Sequence, residues 1–105
     1  MALVVVDAEN VRRSLWPNLS AKELVERTRA WAEREGHELL VVFDGETPED
    51  APDLVGSRYA DDAIAAAVEG AEGSVWVVTS DRELRRRVEE GADRILGGGT
   101  FVRSI

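Results

Sequence analysis

The chain has 105 residues, 44% of them hydrophobic, which is enough to build one core in a single domain over residues 1–105. It has no cysteine, excluding disulfides, thiolate zinc and a cysteine nucleophile, and no run nears the roughly 18 apolar residues of a membrane span. The formal net charge of −8 opposes non-specific binding to nucleic acid, whose phosphates are normally met by clustered Lys and Arg.

In chain order, the first apolar run is Leu3 to Val6. It is rich in β-branched residues and too short for a helix, so it reads as a buried parallel strand. It meets Asp7 before it would serve as the apolar region of a signal peptide, and a cytoplasmic protein with no membrane partner is expected. Trp16, beside Pro17, is read as core or helix-staple packing, with stacking on a base as the alternative. Ser20-Ala21-Lys22-Glu23 is a capping box opening a helix with Leu24, Val25, Thr28, Trp31 and Ala32 on one face, which stops at Gly36. Trp31 is assigned to packing. His37, the only histidine, follows in a polar connector and reads as a surface residue. Any Ser-His-Asp triad would have to rest on it.

Leu39 to Phe43 predicts a second buried strand, and Gly45 to Ser57, with Pro48 and Pro52, a mobile loop. Arg58 to Glu69 predicts a helix with Ile64, Ala65 and Val68 as its apolar stripe. Ser74 to Thr79 predicts a third strand, with Trp76 packed. Ser80-Asp81-Arg82-Glu83 is a second capping box, opening a helix through Leu84 and Val88 to Gly91. Asp93 to Leu96 and Thr100 to Arg103 are short candidate strands around Gly97-Gly98-Gly99. This alternation predicts an α/β fold, a three-layer α/β/α sandwich with a mainly parallel central sheet and right-handed crossovers.

That geometry gathers carboxylates. Asp7, Asp44 and Asp81 each follow a strand, and in a parallel sheet all those ends share one edge. The helix carrying Asp61 and Asp62 runs antiparallel to the strands, so its first turn lies at the same edge. Asp61 shares a face with Ile64, Ala65 and Val68 and points toward the sheet, whereas Asp62 points outward. An Asp after a strand often only caps a helix or closes an Asx turn. Four acids together repel one another, and a bound cation usually offsets that cost. With oxygen ligands alone, Mg²⁺ or Mn²⁺ is the expected ion, and such a site suits phosphate-ester hydrolysis.

The segments Val5-Val6-Asp7-Ala8-Glu9-Asn10-Val11, Val41-Val42-Phe43-Asp44-Gly45, Ala60-Asp61-Asp62-Ala63-Ile64 and Val77-Val78-Thr79-Ser80-Asp81-Arg82-Glu83-Leu84 resemble, in order, the motifs of the YacP-like NYN domains. These belong with the PIN-like and flap-endonuclease-like metal nucleases. The resemblance implies a PIN-like, Rossmann-like fold and an Mg²⁺- or Mn²⁺-dependent endoribonuclease. In that reading Asp7, Asp61 and Asp81 hold metal directly or through water, Asp44 completes the acidic centre and Asn10 orients the first-strand loop, with Asp62 and Ser80 in support. RNA is the implied substrate, and 5′-phosphate ends are the expected products. Two features depart from the family pattern. Ala8-Glu9 stands where Gly-Tyr is common, and the segment between Asp44 and Asp61 is short, with Asp53-Leu54-Val55 as a remnant strand at most.

Arg12, Arg13, Arg58 and Arg82 are the basic residues nearest the acidic edge and are the candidates to meet RNA phosphates. Arg85 to Arg87 read as surface charge balanced by Glu83, Glu89 and Glu90. Two other readings stand beside the nuclease. One is a degenerate domain that binds RNA or protein without turnover. The other is a phospho-acceptor or phosphatase domain, which would want a nearby lysine, whereas the only one, Lys22, lies in another helix. Apolar residues near Trp16 and in Phe101 to Ile105 would allow a homodimer or a protein partner through a sheet edge.

Overall fold

A computed structural model describes residues 1–105. In chain order the elements are β1 (Leu3–Asp7), α1 (Ala8–Arg12), α2 (Ala21–Glu35), β2 (Glu38–Asp44), β3 (Leu54–Ser57), α3 (Ala60–Gly70), β4 (Val75–Val78), α4 (Arg82–Val88), β5 (Arg94–Leu96) and α5 (Gly98–Val102). The five strands form one sheet in the order β3-β2-β1-β4-β5, and every pairing is parallel. The α/β architecture expected from the sequence is therefore present, with the sheet wholly parallel.

Strand alternation divides the core. Val4, Val6, Val41, Phe43 and Val78 face α1, α2 and α5, packing on Val11, Leu24, Trp31 and Phe101. Val5, Val42, Val75 and Val77 face the other way, onto Ile64, Ala65 and Val68 of α3 and Leu84 and Val88 of α4. Successive residues thus feed opposite layers, which is why the runs read as continuous apolar stretches rather than as alternating ones. Helix α2 keeps the predicted ends: the Ser20 hydroxyl accepts from Glu23 N–H, and Gly36 closes the helix with φ +75°, where a residue with a Cβ is strained.

Four local expectations are corrected. The stretch from Gly45 to Ser57 is not all loop, since Leu54–Ser57 pairs with Val41 to Asp44 as the edge strand. The connection from β2 to β3 carries no helix. It begins at Gly45, whose φ is +100°, and is tied to α2 by Arg29, which donates to both carboxylate oxygens of Asp53 at 2.8 Å and to Glu49 at 3.0 Å. Thr100 to Arg103 is no strand. Gly98–Val102 is the short helix α5, and its Phe101 and Val102 are buried, so this segment offers no sheet edge for dimerisation.

The second capping box does not form as written either. Asp81 is the N-cap of α4, accepting from Leu84 N–H at 3.0 Å, while the Ser80 hydroxyl accepts from Gly98 N–H at 2.8 Å. Finally, the aromatic assignments divide. Trp31 is buried and Trp76 half-buried beneath the Arg94 guanidinium, but Trp16 is 90% exposed and packs as no staple. His37 is half-buried, with its ring 5.4 Å from Trp31 and 4.5 Å from Trp76, and its Nδ1 accepts from Ala2 N–H. It stands at the amino edge of the sheet and makes no triad with the strand-end acids.

No helix is long and apolar enough to cross a membrane.

Candidate functional site

The chain runs outward from β1 to β2 and β3, then returns to β4 and β5, so strand order reverses between β1 and β4. The loops at such a reversal part in opposite directions and leave a crevice beyond the carboxyl ends of the strands. Here the crevice is an open cleft of about 380 Å³ lined by Asp7, Glu9, Asn10, Arg13, Ser14, Asp44, Ala60, Asp61 and Asp81. The four acids singled out in the sequence thus share one cleft, delivered by β1, β2, α3 and the N-cap of α4.

Asp7 ends β1 and is 9% exposed. Its Oδ2 accepts from the buried Thr79 hydroxyl at 2.8 Å, and the same hydroxyl oxygen accepts from Asp81 N–H at 3.2 Å. Thr79 therefore holds the Asp7 carboxylate and the Asp81 backbone on one atom, across the β1–β4 boundary. Sequence reasoning placed Thr79 only as the last residue of a strand. The available signal was its position: one residue beyond a parallel strand and two before an Asp, with a β-branched side chain and a hydroxyl.

Asn10 and Ser80 tie the surrounding loops. Asn10 Oδ1 accepts from Ser80 N–H at 2.9 Å, and with the Ser80 hydroxyl on Gly98 N–H the loops after β1, β4 and β5 are joined in sequence. A Cβ on Gly98 would lie 2.5 Å from Asn10 Oδ1 and 2.8 Å from Ser14 Oγ. Only glycine lets α5 approach this closely.

Electrostatics follow from this crowding. Burial raises the Asp7 carboxyl above its usual value, and the charges of Asp61 and Asp81 raise it further, while the Thr79 hydroxyl and the Asn10 backbone oppose them. Asp61 is raised by burial, then by Asp81, Asp62 and Asp44, with Arg87 opposing. Asp62 points outward as expected and pairs with Arg87 at 2.7 Å.

The donor set is all oxygen, which suits a hard divalent cation that keeps several of its own waters. No three of the acids stand close enough together to enclose an ion by themselves. Asp7, Asp61 and Asp81 are oxygen donors of that kind, lining one cleft.

The predicted basic residues separate. Arg13, with 71% of its side chain exposed, lines the acidic cleft. Arg12 is turned aside, donating to both Glu9 oxygens at 2.9 and 3.0 Å and to Leu19 C=O at 2.8 Å. Arg82 is exposed in the first turn of α4 and lines neither cleft beside the acids. Arg58 lines a second cleft, also of about 380 Å³, together with Asp44, Tyr59, Ala60, Asp61, Asp62 and Arg87. Asp44, Ala60 and Asp61 are common to both clefts, so the two compartments share a wall. Tyr59 and Arg87 were not anticipated there. Arg87 lies at the far end of α4 from its N-cap, and only the packing of α4 beside α3 brings it to Asp62. Lys22 lines neither cleft.

The chain is thus an α/β domain with a five-stranded all-parallel sheet whose carboxyl edge carries Asp7, Asp44, Asp61 and Asp81, with Glu9 beside them, round one cleft. Comparison with known protein families, with curated proteins and with solved structures finds no match.

Proposed function

We propose that this domain is an Mg²⁺- or Mn²⁺-dependent endoribonuclease of the YacP-like NYN type, hydrolysing RNA phosphodiester bonds at the acidic cleft. The observation that carries the reading is the meeting of Asp7, Asp44, Asp61 and Asp81 round one cleft at the reversal of strand order. The motif resemblance runs through the same four residues and supports it.

A divalent cation at such a centre lowers the pKa of a water and neutralises charge on the phosphate and on the leaving oxygen. The chain's own groups do the positioning. Thr79 fixes the Asp7 carboxylate, which leaves its remaining lone pairs for a cation or its waters. Asp81 spends one oxygen on the Leu84 N–H and offers the other. Asp61, at the start of α3, and Asp44, at the end of β2, bound the cleft on the side of the second compartment. Asn10 holds the β1 and β4 loops at a fixed separation through Ser80 N–H. Arg13, largely exposed and 3.6 Å from Glu9, would meet a phosphate at the rim by exchanging that carboxylate for it.

A second reading, a non-catalytic module that binds RNA or protein, is favoured by one observation: as they stand, no three acids enclose an ion. Cleavage of a mixed, end-labelled RNA pool with Mn²⁺, Mg²⁺ or EDTA, beside Asp81→Asn, separates the two. The nuclease gives metal-dependent fragments with 5′-phosphate ends that vanish with EDTA and fall by at least 100-fold in the variant, on the order of what one preorganised electrostatic group contributes. Intact RNA from a folded wild type supports the binding module instead.

A further inference from the structure

We infer that the second compartment is a nucleotide subsite that takes an unpaired base on Tyr59 and an adjoining phosphate on Arg58, beside the acidic cleft. The inference rests on the endoribonuclease reading and adds to it two substrate-binding residues.

Tyr59 is one of three large apolar side chains left exposed, at 65%, and it lines the second cleft together with Asp44 and Asp61. The fold does not account for it. Tyr59 occupies the N-cap of α3 and makes no side-chain cap hydrogen bond, where Ser, Thr, Asp or Asn would stabilise the helix by about 1 kcal/mol. The turn before it is closed by the Ser57 hydroxyl, which accepts from Tyr59 N–H at 3.0 Å and would do so for any side chain at this position. Neither hydrophobic layer uses its ring. What the residue supplies is a largely exposed aromatic ring, with the Arg58 guanidinium over one face, in a cleft with Asp44 at the end of β2 and Asp61 at the start of α3, and a base stacks on the remaining face whatever its identity.

Arg58 supplies the charge. It is exposed, pairs with no carboxylate, and lies with its guanidinium carbon 5.9 Å from the Tyr59 ring centroid. Its neighbour Arg87 is engaged by Asp62 and supports the positive side of the compartment without being free to leave it. An overall charge of −8 repels a polyanion, so a strand approaching the cleft needs a local counter-charge, and Arg58 is the unpaired cation in this compartment. Because the two clefts share Asp44, Ala60 and Asp61, a nucleotide seated on Tyr59 sets the next phosphodiester over the acids. A base inside a duplex has both faces covered by its neighbours and cannot reach the ring.

The test is binding and cleavage measured in parallel. Fluorescence anisotropy of a labelled single-stranded RNA in EDTA should show that Tyr59→Ala weakens binding about 10-fold, within the range that stacking on one aromatic contributes. Tyr59→Phe should bind like wild type, and Arg58→Ala should weaken binding and flatten its salt dependence. With Mn²⁺, wild type should cut the single strand faster than the same sequence annealed to its complement, and Tyr59→Ala should lose that preference. Wild-type binding that Tyr59→Ala and Arg58→Ala leave unchanged, with cleavage retained, overturns the subsite and leaves the nuclease standing. Neither binding nor cleavage of any RNA by wild type overturns the nuclease reading, and the subsite with it.

Discussion

Asp7 is the residue on which the most opposing demands fall. It is nearly inaccessible, faces two other acids across the cleft, and is compensated only by Thr79 and the Asn10 backbone. Its carboxyl is held above the ordinary 3.8, so the folded protein binds a proton there that the unfolded chain has already released. Stability is therefore lost as pH rises from 3.8 through the folded value, and the cost persists at neutral pH. Asp7→Asn removes the charge but keeps an acceptor for Thr79. Without divalent cations it should melt above wild type at pH 7, because the charge that burial and the neighbouring acids disfavour is gone. The difference should close as pH falls through the raised Asp7 value, where wild type takes up its proton. A variant less stable than wild type at both pH values would contradict this account of Asp7.

At the scale of elements, the loops after β1, β4 and β5 act together because Asn10, Ser80 and Gly98 join them. Gly98→Ala puts a Cβ against Asn10 and Ser14, and overpacking of this kind costs about 1–3 kcal/mol. Chemical denaturation should show that loss, and the displaced Asn10 should reduce metal-dependent cleavage as well. Elements that pack along their length were legible in the sequence: β1, β2, β4, α2, α3 and α4 each carry an apolar run or stripe of the right period. Of the shorter ones, β5 was legible as the candidate strand Asp93 to Leu96, which pairs with β4 as Arg94–Leu96, and β3 only as a remnant; α1 and α5 were not. Helix α1 is five residues hung directly on a strand, and β3 is four residues with Gly56 among them. Helix α5 begins in a glycine run that reads as a turn, and only the buried contacts of Phe101 and Val102 make it a helix. Ser80 looked like a cap because it precedes Glu83 at the right spacing, yet Asp81 does the capping and Ser80 bonds to Gly98. Local spacing does not reveal that Gly98 lies within reach.

Across the whole molecule, the acids were legible because parallel topology alone brings strand ends and helix starts to one edge. Their separations were not, since these depend on side-chain rotamers and on the hydrogen bond from Thr79 to Asp7, a long-range contact that local spacing does not reveal. The division of the edge into an acidic compartment and an Arg–Tyr compartment was also hidden, because Arg87 reaches it only through the packing of α4 on α3. If the acids form one centre, they should act on a cation as a unit. The most direct measurement is calorimetric titration of the purified protein with Mn²⁺, beside Asp7→Asn, Asp61→Asn and Glu49→Gln. Wild type and Glu49→Gln, whose altered side chain lies in the β2–β3 loop against Arg29, should bind alike, and each cleft variant should weaken binding by at least 10-fold. Equal binding by all four proteins, or none by wild type, would contradict a shared metal centre in the cleft.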